Sequence, residues 1–273
     1  MRIFFSVGEP SGDLHASNLI RRLQELDPQT EAVGFGGPKM KEAGCDLLFD
    51  LTQLAVMFLG GAIKNLRKFF ALIADADEYF AENPVDAVVL VDYPGFNWWI
   101  ARKAKKHGIK VFYYGVPQMW AWAPWRISKI RKFVDHVICK LPFEPKWFRD
   151  RDCEAFYVGH PYFDQLATQQ LDLEFVDELL EPEQKLLLLL PGSRDQEVKK
   201  NTECLLRAAA LVREKHAARS DLKIAIGCFN EKHKQYVRDE CRLDDVEIYV
   251  DRTQELMTRA SACVACSLSL IHI

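Results

Sequence analysis

The chain has 273 residues, 49% of them hydrophobic and 27% charged, with a formal net charge of -3. At about 100 to 200 residues per domain, this length fits one complete domain and part of a second. The apolar fraction suffices for a buried core, and the near-neutral charge excludes bulk electrostatic attraction to nucleic acid as the basis of function.

Short apolar runs alternate with segments of helical period from one end of the chain to the other, which predicts βαβ units around parallel sheets. Strands are predicted at Ile3–Val7, Ala87–Val91, Lys110–Tyr114, His136–Cys139 and Ala155–Val158. A second series follows at Leu186–Leu190, Lys223–Gly227, Glu247–Val250 and Ala262–Ala265. Between the two series, Leu166 to Gln184 is rich in Gln, Asp and Glu and reads as a connection. This gives a first domain over residues 1–166 and a second over 185–273. No apolar run reaches the roughly 18 residues that span a bilayer, so any membrane contact is expected to be peripheral. The cysteines are scattered through apolar stretches and no secretory leader precedes the first strand, which points to a reducing cytosol.

Several segments carry chemistry. After the first strand comes Gly8-Glu9-Pro10-Ser11-Gly12-Asp13, a turn and helix start whose backbone N–H groups can bind a ligand oxygen. Its spacing is not the dinucleotide fingerprint, and neither is that of Gly34-Phe35-Gly36-Gly37. From Val56 to Ile73, apolar residues fall on one helical face with Lys64, Arg67 and Lys68 beside it, a pattern suited to an anionic lipid interface or to plain core packing. Asp75 and Asp77 imitate a metal-binding pair, but in a helix they point about 200° apart and read as a solvated face.

Asp92 stands at the carboxyl end of a predicted strand, where a carboxylate can serve as general base toward a sugar hydroxyl or brace a loop. Pro117 to Arg126 packs Trp120, Trp122 and Trp125 beside a basic helix, and such rings suit a sugar face, phosphate or lipid. Leu186 to Glu197 reads as a buried strand, a glycine turn and a helix, with Arg194 placed to hold a diphosphate or to pair with Asp195 or Glu197. Cys263 and Cys266 form a lone CxxC, read as small core residues. His15 and His160 lie in no motif for nucleophilic catalysis.

In this order, GEPSGD (Gly8–Asp13), GFGGPKM (Gly34–Met40), VDYPGFN (Val91–Asn97), PQMWAW with Arg126, LPFE (Leu141–Glu144), GHP (Gly159–Pro161) and LLPGSRDQEV (Leu189–Val198) resemble the lipid-A-disaccharide synthase family. The resemblance implies an α/β fold of GT-B type: two Rossmann-like parallel-sheet domains, the second incomplete here, with no metal or other cofactor. It implies an inverting glycosyltransferase that joins UDP-2,3-diacylglucosamine to 2,3-diacylglucosamine 1-phosphate (lipid X). The enzyme would be cytoplasmic, peripheral on the inner membrane, and without nucleic-acid partners.

Residue by residue, the resemblance makes Asp92 the essential aspartate with Glu9 beside it. Ser11, Gly12, Asp13, Asn97, Trp120, Trp122 and Arg126 fall on the acceptor side, and Gly192, Ser193, Arg194 and Glu197 at the nucleotide sugar. Met57, Phe58, Leu59, Lys64, Arg67, Lys68, Phe69 and Phe70 fall on a membrane-docking patch. The chain departs from the family at Ala123, where many members have Arg. It departs again at its tail, Ser267–Ile273, where members continue and a truncated reading frame is the expectation. Two rival readings are another GT-B enzyme of UDP-sugars, such as a UDP-N-acetylglucosamine 2-epimerase, and a non-catalytic lipid- or nucleotide-binding fragment.

Overall fold

Arg2–Val7 forms strand β1, and every residue after Arg2 is buried, because helices cover both faces of its sheet. The computed structural model describes residues 1–53, 62–168, 170–215, 221–241 and 246–266. The chain divides into two compact units, Met1–Gln165 and Leu166–Ile273.

In the first unit, β1 is followed by β2 (Glu31–Gly36), β3 (Asp46–Asp50), β4 (Ala87–Val91), β5 (Lys110–Tyr114), β6 (His136–Cys139) and β7 (Ala155–Tyr157). All pairs are parallel, and the spatial order is β3-β2-β1-β4-β5-β6-β7. Strand order therefore reverses between β1 and β4. In open α/β sheets, ligands bind outside the carboxyl ends of the strands at such a reversal.

Among the described residues the helices of this unit are α1 (Pro10–Leu26), α2 (Pro38–Glu42), α3 (Ala62–Glu82), α4 (Pro94–Lys106), α5 (Met119–Trp122), α6 (Ile127–Phe133) and α7 (Glu144–Arg149), and α8 (Pro161–Thr168) begins in it and ends in the second. Side chains alternate along β1. Phe4 packs with Phe35, Leu90 and Phe96 in one core layer, while Ile3, Phe5 and Val7 pack with Ala16, Ile20 and Met40 in the other.

In the second unit, β8 (Lys185–Leu190), β9 (Leu222–Cys228), β10 (Val246–Val250) and β11 (Ala260–Ala265) form a parallel sheet ordered β10-β9-β8-β11. The helices are α9 (Leu173–Glu178), α10 (Asp195–Lys215), α11 (Glu231–Glu240) and α12 (Thr253–Arg259). Here strand order reverses between β8 and β11, so the turn after β8 lies at this sheet's own switch point.

Four sequence expectations need correction. Strands β2 and β3 lie in stretches not read as strands. Gly34, at φ +140, runs so close to β1 that a Cβ there would stand 2.1 Å from the Phe5 carbonyl oxygen, so glycine replaces the usual β-branched signal. The supposed connection contains α9, whose N-cap Asp172 accepts from the Phe175 amide at 3.1 Å, and the Leu179 and Leu180 that follow are buried against β8. Cys263 and Cys266 are exposed rather than core, because β11 turns most of its residues to solvent.

Finally, Asp77 is no solvated carboxylate. It joins α3 to α4 through Lys103 at 2.6 Å, His107 at 2.8 Å and Lys106 at 3.1 Å. The hydrogen bond from Lys103 is the main reason its carboxyl is held well below the usual range, with His107 and Lys106 adding to it against the opposing effect of burial. Asp77→Asn is expected to lose about 1–3 kcal/mol in urea titrations at neutral pH. Because the folded-state pKa is depressed, that difference persists above the ordinary carboxylate range. It vanishes as the pH falls through the depressed value.

Candidate active site

At the carboxyl end of β4 the backbone enters the left-handed region twice in succession, at Asp92 (φ 45) and Tyr93 (φ 41). Aspartate tolerates this region, but a tyrosine there is a strained residue costing of order 1–3 kcal/mol, held in place by its surroundings. Those surroundings are specific. The Asp92 carbonyl accepts from Asn97 Nδ2 and from the hydroxyl of buried Tyr113, both at 2.8 Å. Gly8, at the end of β1, leaves room for the Tyr93 ring, since a Cβ there would stand 2.2 Å from it.

The Asp92 side chain is one-quarter exposed, and its Oδ1 lies 3.7 Å from the ammonium of Lys140, the residue after β6. Burial raises its carboxyl above the ordinary range, and Lys140 partly offsets this. Gly12, in the first turns of α1, brings that helix close to Asp92: a Cβ there would stand 3.8 Å from Oδ2. Glu9 and Ser11 are exposed at the head of α1, with Glu9 as its N-cap residue.

Two expected substrate residues have other work. Asp13 is buried, and its carboxylate accepts from the backbone N–H groups of Gly37, Lys39 and Met40, each at 3.0 Å. It thus fixes the start of α2 and the GFGGPKM turn. Asn97 is fully buried; its Nδ2 donates to the carbonyls of Ser6, Val91 and Asp92, and its Oδ1 accepts from the Ser6 hydroxyl at 2.7 Å. A side chain with its polar atoms so occupied braces the site rather than lining it.

Trp120 is half-buried, and its indole N–H donates to Glu144 Oε1 at 3.1 Å. The other oxygen of that buried carboxylate accepts from the amides of Lys140 and Leu141, so Glu144 fastens the tryptophan segment to the end of β6. The sequence displays Glu144 only as part of LPFE and Lys140 in no motif. Trp122 is exposed, with the Arg126 guanidinium 4.6 Å over its ring.

In the second unit, Gly192 (φ +142) opens the turn after β8, where a Cβ would stand 2.5 Å from Glu197 Cβ. The amides of Ser193 and Arg194 both donate to Glu197 Oε2, and Arg194 Nη1 donates to Glu197 Oε1 at 2.8 Å. Burial opposes ionisation of Glu197, but these bonds together hold its carboxyl below the ordinary range. The turn is therefore closed by an internal carboxylate, with an exposed arginine at its rim.

Of the expected membrane patch, Met57, Phe58, Leu59 and the Lys64 side chain lie outside the described residues. Arg67, Lys68 and Phe70 are exposed on α3, and Phe70 packs edge-on against Trp99. Phe69 turns inward instead, 5.1 Å from the ring of Phe96, because it follows the helix face that meets the core. Among the described residues no helix is long and apolar enough to cross a membrane.

The family described as Lipid-A-disaccharide synthetase matches residues 3–272. A lipid-A-disaccharide synthase of Coxiella burnetii is 33% identical over 277 residues, covering 99% of this chain and 73% of that one. The chain belongs to the lipid-A-disaccharide synthase family. A further family member, from Trichlorobacter lovleyi, is 37% identical over 217 residues, 78% of this chain and 56% of its own.

The fold is α/β and GT-B-like. A UDP-GlcNAc 2-epimerase from Neisseria meningitidis matches at a TM-score of 0.67 over 99% of this chain and 79% of that chain, at 9% identity. Acinetobacter baumannii MurG matches at 0.54 over 97% and 71%, at 12% identity. At such identities the likeness is one of fold alone. Membership makes the chain one of a family of glycosyltransferases in lipid A synthesis, with lipid A precursors as substrates.

The bracing role of Asp13 separates from ligand binding by experiment. Asp13→Asn is expected to lower stability by about 2–4 kcal/mol in chemical denaturation, since one amide cannot accept all three backbone donors. The KM for acceptor should stay within about twofold, whereas raised KM at unchanged stability would return Asp13 to the ligand side.

Proposed function

We propose that this chain transfers 2,3-diacylglucosamine from UDP to the 6-hydroxyl of lipid X, releasing UDP. The observation that carries this reading is the Asp92 carboxylate at the switch point between β1 and β4, partly exposed and beside the head of α1. Asp92 draws the proton from the acceptor hydroxyl as that oxygen attacks the anomeric carbon. A base whose carboxyl is raised by burial accepts a proton more readily than an ordinary surface aspartate.

Glu9 and Ser11 at the head of α1, with Trp122 and Arg126 beyond β5, supply polar and stacking contacts for the acceptor. The Gly192–Arg194 turn receives the departing diphosphate, displacing the Glu197 carboxylate from the amides it holds. Arg194 then turns from Glu197 to the phosphate and stabilises the leaving group. Arg67, Lys68 and Phe70 on α3 form part of a face that rests on the anionic inner-membrane surface, where both acylated substrates reside.

Asp92→Asn is expected to lower turnover by about 10²–10⁴-fold with the fold intact, the usual contribution of a general base. Near-normal turnover by this variant contradicts the reading. Arg194→Ala is expected to lower kcat by about 10- to 100-fold while leaving the KM for lipid X unchanged, as steady-state kinetics with each substrate varied will report.

A further inference from the structure

Asp92, Gly115 and Lys140 follow directly after three adjacent strands, β4, β5 and β6. The middle position has no side chain and takes φ +64; a Cβ there would stand 2.8 Å from Lys140 Nζ and 3.1 Å from Asp92 Oδ1. The gap left by Gly115 is thus what lets the two charges meet across the width of β5. Lys140 is held from behind, its own amide donating to the buried carboxylate of Glu144 at 3.1 Å. Both side chains keep about a quarter of their surface exposed, so the pair faces the crevice rather than the core.

We propose that Lys140 is a positioning residue for the transfer reaction, its ammonium keeping the Asp92 carboxylate ionised and aimed at the acceptor hydroxyl. The proposal rests on the reading of Asp92 as general base. Among the described residues, Asp92 also bears on the phenols of Tyr113 and Tyr114 on β5, on which Glu9 from the head of α1 and Asp164 of α8 respectively act as well. Burial is the main cause that pushes both phenols up, Tyr114 to about 12 and Tyr113 well above its ordinary value, so neither ionises where Asp92 titrates. Among the described residues, Lys140 is the cation that acts on Asp92. Removing it leaves burial unopposed, and Asp92 then holds its proton to higher pH.

The test is the pH dependence of acceptor-dependent UDP release by wild type, Lys140→Met and Lys140→Arg. It is paired with ¹³C NMR titration of the aspartate carboxyls, in which Asp92→Asn identifies the signal. In Lys140→Met, the acidic limb of the rate profile and the Asp92 midpoint should both move up by about 1–3 pH units. One pH unit below the wild-type limb, the variant should be about tenfold or more slower than wild type, and Lys140→Arg should restore the limb. An Asp92 midpoint that stays in place in Lys140→Met overturns the proposal. Should circular dichroism show that variant unfolded, Lys140→Gln is titrated in the same way and decides on the same criterion. Failure of the base reading is distinguishable: Asp92→Asn would then turn over normally, while the NMR midpoint would still report whether Lys140 holds the carboxylate.

Discussion

The carboxyl ends of β1 and β4 are joined by one buried side chain. Asn97 Nδ2 reaches the carbonyls of Ser6, Val91 and Asp92, while its Oδ1 takes the Ser6 hydroxyl. These contacts span the point where strand order reverses, and they hold Asp92 in a backbone conformation that a free chain rarely adopts. Tyr113 adds its hydroxyl to the same carbonyl from β5. The geometry of the proposed base is thus a property of the sheet, not of the loop on which it sits, and a rigid sheet can hold a carboxylate in one orientation.

Around that point, glycines decide which groups can approach. Gly8 makes room for the Tyr93 ring, and Gly115 admits Lys140 to Asp92. Two buried carboxylates then tie flanking segments to the sheet. Asp13 holds the turn before α2, and Glu144 holds both the tryptophan segment and the end of β6. In each case a carboxylate meets backbone or indole N–H donors, which satisfies its lone pairs without a counter-charge.

The strands buried on both faces stand out in the sequence as apolar runs, unbroken in β4 and β8 and interrupted in β1 only by Ser6. Strand β2 does not, because Gly34 answers to the nearness of Phe5 and Gly36 to that of Met40 rather than to strand propensity. Strand β3, at the sheet edge, begins and ends in aspartate and resembles a loop. In the candidate site, Asp92 was legible as a carboxylate at a strand end, and Arg194 with its alternative partner Glu197 was legible from their spacing. The bracing roles of Asp13 and Asn97 were not, since a polar residue in a motif gives no sign of whether it faces ligand or backbone. Lys140 was illegible for a different reason: its nearness to Asp92 follows from the order β4-β5-β6 and from a glycine between them, and both are facts of tertiary structure.

At the strand reversal of the second unit, a carboxylate likewise meets backbone donors: Glu197 accepts from the amides of Ser193 and Arg194. On the proposed reading, Asp92 of the first unit is the base and the Gly192–Arg194 turn of the second takes the diphosphate. The measurement that tests it most directly is UDP release from UDP-2,3-diacylglucosamine in the presence and absence of lipid X. Release that depends on lipid X, with a disaccharide 1-phosphate as product, is the predicted result. Release at the same rate without the acceptor, or none with it, would contradict the account.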